Sequence, residues 1–157
     1  MPKRQSAIDG VASRIAGKLV QVRCGGPRQW NAVGEGVLGY AVVGSTLTTL
    51  APRVCTRLAE MRAGAAPADI VMSGATLVTV AHESQHLRGI ANEAVAECYG
   101  IQRAVEVARA LRIDRAYARR AIRAYWAIYP SRPPAYRTAS CHDGGPLDLH
   151  PGSPSWP

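Results

Sequence analysis

The stretch TVAHESQHLRGIANEAVAECYG, residues 79–100, gathers two of the chain's four histidines and three of its six glutamates inside an apolar, alanine-rich run. Five consecutive residues, His82-Glu83-Ser84-Gln85-His86, spell HExxH. On an α-helix, positions four apart differ by about 40° of rotation and roughly 6 Å of rise, so both imidazoles face one point and can chelate a single zinc ion. Glu83 sits beside that point, within reach of a metal-bound water as general base. With this histidine and glutamate content, chance supplies roughly 0.004 such matches per chain, so the spacing calls for a cause. The plain alternative is a pair of histidines satisfied by neighbours on a packed helix.

Two histidines leave a zinc ion short of a ligand. Gly89 can take a positive φ and reverse the chain. Glu93 and Glu97 follow, again four apart. One helix thus offers two imidazoles and the next offers two carboxylates, and a helix–turn–helix hairpin can point both pairs at one spot.

GIANEAVAECYG, residues 89–100, resembles the thermolysin-type element of the gluzincin zinc peptidases, in which Asn-Glu opens a helix and an acidic residue follows one turn later. The resemblance is confined to residues 82–100. It implies zinc held by His82, His86 and Glu93, with Glu97 accepting a hydrogen bond from His82 and fixing its tautomer. It further implies peptide-bond hydrolysis with Glu83 as general base and a peptide or protein as substrate. In that group a much longer insertion separates the two motifs, whereas here only Leu-Arg-Gly-Ile-Ala-Asn intervenes, so the implied site is a compact variant. The tight glycine turn is also similar to the metzincin pattern HExxHxxGxxH. In that frame the third ligand position is Asn92, a poor zinc ligand, and no methionine follows Met72 to build a methionine turn.

Zinc peptidases of this kind commonly carry an edge strand against which substrate lies as an added strand. GYAVVGSTLTTL, residues 39–50, is the candidate, and it reads equally well as half of a core sheet. Hydrolysis also needs a donor to the developing oxyanion. His142 and Tyr136, both near the C-terminus, are the candidates. Cys98 lies about 140° around the helix from Glu93, so packing or a disulfide suits it better than metal.

The rest of the chain frames this segment. At 157 residues it fits one domain, with enough apolar content for a real core. Residues 5–20 read as a short amphipathic helix, 18–24 as a strand, GGPRQWN as a turn, and 36–52 as a hairpin broken at Gly44-Ser45. A short helix ends at Gly64. Three longer ones follow, over 67–89, 91–113 and 114–129, the last with Asp114 as N-cap. From Pro130 onward come seven of the eleven prolines, predicting an extended tail over 130–157 that wraps over the helices. The expected architecture is α+β: a small N-terminal hairpin or sheet packed on three helices, including the HExxH helix.

The four cysteines lie far apart with no CxxC pair, permitting two disulfides in any of three pairings or four buried thiols. No segment reaches the roughly 18 apolar residues of a membrane span, and Asp9, Arg14 and Lys18 interrupt any signal core. The expectation is cytoplasmic as written, or secreted if an export signal was trimmed. The net charge of +8 comes almost wholly from arginine, with seven arginines between Arg103 and Arg123. A solvated helix face accounts for them more simply than a nucleic-acid surface. Two competing functions remain open at this level. One is a catalytically silent zinc domain that binds a partner. The other is a basic, helical nucleic-acid-binding domain, whose binding would weaken steeply with salt and ignore chelators.

Overall fold

The computed structural model describes residues 6–157. The basic start of the chain and the first residue of the helix expected from residue 5 lie outside the described residues. The fold is α+β, with six helices and one three-stranded sheet among the described residues.

The first helix, α1 (Ala7–Ala16), starts where Ser6 accepts a hydrogen bond from the backbone of Asp9, and it stops at Gly17 in the left-handed region. Strand β1 (Gln21–Cys24) follows, then α2 (Pro27–Val33). That helix replaces the turn expected over GGPRQWN. Gly25-Gly26 make the turn, Pro27 opens the helix, and Trp30 buries its ring while donating its indole N–H to the carbonyl of Val37 at 3.0 Å. The expected hairpin is present as β2 (Gly39–Ala41) and β3 (Leu47–Leu50), paired antiparallel. β1 adds to the other side of β3 in parallel, giving the order β1-β3-β2 with β2 at an edge.

Helix α3 (Pro52–Arg62) leads to α4 (Ile70–Arg88), whose N-cap Asp69 accepts from the backbone of Met72. Every residue of α4 from Ser73 to Leu87 is buried. A helix covered on all sides has no solvated face, which is why its sequence carries no clean amphipathic stripe. Around it lie α1, α3, the sheet, α5 (Glu93–Ala110) and α6 (Arg115–Ala127). Asp114 caps α6 as expected, accepting from Tyr117 N at 2.8 Å.

The C-terminal segment winds through two short 3-10 turns, Tyr129–Ser131 and Pro134–Tyr136, and then packs on the helices. Gln102, buried on α5, holds it as a strand would, donating to the carbonyl of Leu147 and accepting from the amide of Leu149. Both cysteine pairs are disulfides. Cys24–Cys55 ties β1 to α3, and Cys98–Cys141 ties α5 to the tail. Among the described residues no helix is long and apolar enough to cross a membrane.

Candidate metal centre

Burying His82, Glu83 and His86 inside α4 is costly unless each finds a partner. For the two histidines the partners come from the turn after the helix and from the helix that follows it. Gly89, with φ of 114°, ends α4 in the left-handed region, and Asn92 starts α5 three residues later by accepting from the backbone of Val95. The side chain of Asn92 is therefore engaged as a helix cap. Glu93 is the first residue of α5, where the helix dipole favours a carboxylate.

Close packing then sets the register of the two helices. An added Cβ at Gly100 would lie 3.0 Å from the backbone nitrogen of His82. Only glycine lets α5 approach α4 this near, one helical turn beyond Glu97.

Three lone-pair atoms converge as a result. The Nε2 atoms of His82 and His86 are 3.0 Å apart, and Oε2 of Glu93 is 3.0 Å from the first and 3.2 Å from the second. Both Nδ1 atoms are already committed: His82 donates to Glu97 Oε2 at 2.8 Å and His86 to the carbonyl of Ile90 at 2.7 Å. With Nδ1 protonated, each Nε2 presents a lone pair. Two lone pairs and a carboxylate oxygen repel one another unless a proton or a metal cation lies among them. Tetrahedral zinc with bonds of about 2.0–2.1 Å needs donors roughly 3.3 Å apart, close to the spacing here. His82, His86 and Glu93 thus lie close enough to hold a metal ion.

Glu97 is built to support this. It is buried, receives the Nδ1–H of His82 and the phenol O–H of Tyr125, and has Arg132 Nε 3.6 Å away. Burial works to raise its carboxyl, but the hydrogen bonds and the arginine's charge outweigh burial and hold it below the usual carboxylate range. Burial likewise opposes a charged His82. The carboxylates of Glu93, Glu97 and Glu83 overcome that and carry the imidazole up to about 9. A proton on this nitrogen would compete with any metal ion held there. Burial pushes the Glu83 carboxyl above its ordinary range despite the nearby histidines, and its Oε2 is buried with no hydrogen-bond partner.

The centre opens on a cavity of about 310 Å³. One wall is α4, another is residues 36–41 with β2, and Tyr125, Arg132 and Tyr136 close the far side. Gly39 matters locally, because a Cβ there would meet Glu83 Cγ at 3.0 Å and Thr79 Cγ2 at 3.1 Å.

Of the residues singled out in the sequence, His82, Glu83, His86, Glu93, Glu97 and Tyr136 all line this cavity. The Tyr136 ring lies 5.9 Å from that of His82, and burial, with the charge of Glu93, keeps its phenol protonated. His142 is not brought there. It is exposed, its Nδ1 sits against its neighbour's carbonyl, and it does not line the cavity. The reason is the adjacent bridge from Cys141 to Cys98, which lies on a face of α5 about 140° from Glu93.

Tyr125, Arg132 and the Ile90 carbonyl were not legible in advance, because no spacing links them to HExxH. Six of the seven arginines from Arg103 to Arg123 are exposed, and none of the seven lines the cavity. Comparison with protein-family models, with curated proteins and with solved structures found no match.

Proposed function

We propose that the chain is a zinc-dependent metallopeptidase of compact gluzincin-like type. The observation that carries this is the convergence of His82 Nε2, His86 Nε2 and Glu93 Oε2 beside a buried Glu83 whose Oε2 is free. Two imidazoles, one carboxylate and an open side favour zinc over harder cations, which prefer all-oxygen cages. Zinc bound there would supply a Lewis acid for the scissile carbonyl and lower the pKa of a bound water.

The chain's own residues supply the rest. Glu83 is placed to take the proton of the attacking water and pass it to the leaving amine, and its upward-shifted carboxyl suits both transfers. Glu97 and Tyr125 hold His82 in the tautomer that leaves Nε2 free. Tyr136 keeps its O–H and can donate to the developing oxyanion.

The peptide has an obvious track. Leu38 turns its carbonyl toward β3, accepting from Ala51 N at 2.8 Å. By strand alternation Tyr40 does the same, while Gly39 and Ala41 present N–H and C=O to the open edge. An extended substrate can add there as a fourth strand beside Glu83.

Elemental analysis with peptide-cleavage assays tests the reading. Wild type should carry about one zinc per chain and cleave peptides. Glu83→Gln should keep the zinc and lose turnover by at least about 100-fold. Zinc retained with no cleavage by wild type would leave a silent binding domain. Wild type without zinc would end the proposal.

A further inference from the structure

Arg132 reaches the cavity from the turn after α6, and its guanidinium is held by rings. It stacks 4.9 Å from the centroid of Tyr136 and 5.8 Å from that of Tyr125. Its nearest acid is Glu97, 3.6 Å from Nε, which is outside hydrogen-bond reach, and that Nε is buried without a partner. Among the described residues the terminal nitrogens carry no hydrogen bond either.

Neutralising Glu97 does not account for this placement. Glu97 already takes two hydrogen bonds, and an arginine dedicated to it would close to about 2.7–2.9 Å, commonly through two nitrogens. What stands at the cavity wall is a rigid, planar fork of donors with its outer edge unused. Such a fork matches a carboxylate.

We propose that Arg132 receives a carboxylate of the substrate, one or two residues along the chain from the bond that is cut. This rests on the peptidase reading and adds the substrate class to it. The Tyr136 ring lies 5.9 Å from the His82 ring and 4.9 Å from the guanidinium, so the two places are no more than about 11 Å apart. An extended peptide advances about 3.3 Å per residue, so one or two residues together with the reach of a terminal or side-chain carboxylate can span that distance. Glu83, Glu93 and Glu97 alone would repel such an anion, but a divalent ion together with Arg132 offsets all three. The carboxylate is either the free C-terminus of a short peptide or an Asp or Glu side chain within a longer one.

The test is equilibrium binding to zinc-loaded Glu83→Gln protein, followed by anisotropy of dye-labelled peptides. One peptide ends in a free carboxylate and its twin in a carboxamide. Two further carboxamides carry Glu or Gln at the residue after the scissile position. A charge-assisted contact makes at least one carboxylate peptide bind about 10- to 100-fold tighter than its neutral twin. Adding Arg132→Gln should erase that preference, and adding Arg132→Lys should keep only part of it. A free-acid preference identifies a C-terminal carboxylate, and a Glu preference identifies a side chain. Equal binding of acid and neutral peptides, no peptide binding at all, or a preference surviving Arg132→Gln overturns the proposal. Zinc content is measured on the same samples. Absence of zinc defeats the peptidase reading and this proposal with it, whereas equal binding of the acid and neutral twins to zinc-loaded protein overturns the role of Arg132 alone.

Discussion

The two ends of α4 each meet a neighbouring helix through a glycine, to different effect. Near its start, an added Cβ at Gly74 would lie 2.1 Å from the carbonyl oxygen of Ala121 on α6. Near its end, the glycine is on the partner instead, with Gly100 of α5 against the backbone of His82. The first crossing is packing, sealed by a hydroxyl pair between Ser73 and Tyr117 at 2.7 Å. The second puts two carboxylates of α5 onto a histidine of α4. Close approach of helices therefore yields packing at one end and a cluster of converging imidazoles and carboxylates at the other, and the two should fail in different ways.

Gly74→Ala should do most damage. The overlap is with backbone, which cannot swing aside, so a loss of stability of roughly 3 kcal/mol or more is expected. Urea unfolding followed by circular dichroism would read it, and an unchanged midpoint would refute the packing argument. His82→Ala should do the reverse, with the fold kept and zinc falling from about one per chain to none in elemental analysis. Retention of full zinc by that variant contradicts the proposed ligand set.

Glu97→Gln keeps the shape at the second crossing and removes the charge that holds His82. Zinc affinity should drop about 10- to 100-fold in a chelator competition, and an unaltered affinity would reduce Glu97 to packing.

The smallest effect concerns pH in chelated protein. The pKa of His82 rises from 6.5 to about 9 on folding. Its stabilising contribution is then complete below about pH 6.5 and is lost as pH rises through about 9. Unfolding midpoints should fall across that window in wild type more than in His82→Ala, whereas zinc should bind more tightly over the same range as the competing proton leaves. A midpoint curve identical in the two proteins would remove His82 from the account.

Much of the second crossing was legible from local spacing. His82 and His86, and Glu93 and Glu97, are each four apart, and a helix turns any such pair to one side whatever else surrounds it. Gly89 and Asn92 signal the stop and start between them by their backbone preferences. The hairpin over β2 and β3 and the cap at Asp114 were legible for the same reason. The helix at Pro27–Val33 was missed because Gly-Gly-Pro reads as a turn, and what stabilises the helix is burial of Trp30 against residues beyond it. His142, a candidate oxyanion donor by sequence, lies outside the cavity, and the neighbouring Cys141 is bridged to a cysteine 43 residues earlier on α5, a pairing no local spacing reveals.

What the amino-acid order determined alone is the two pairs of side chains, two imidazoles on one helix and two carboxylates on the next, whose directions follow from helical geometry within a few turns. What only the tertiary structure decided is their convergence and surroundings. The approach of α5 to α4 at Gly100, the pairing of the four cysteines, and the arrival of Tyr125, Arg132 and Tyr136 at the cavity each join residues far apart in the chain. Such contacts depend on the volumes and shapes of whole packed faces, and no short spacing encodes them.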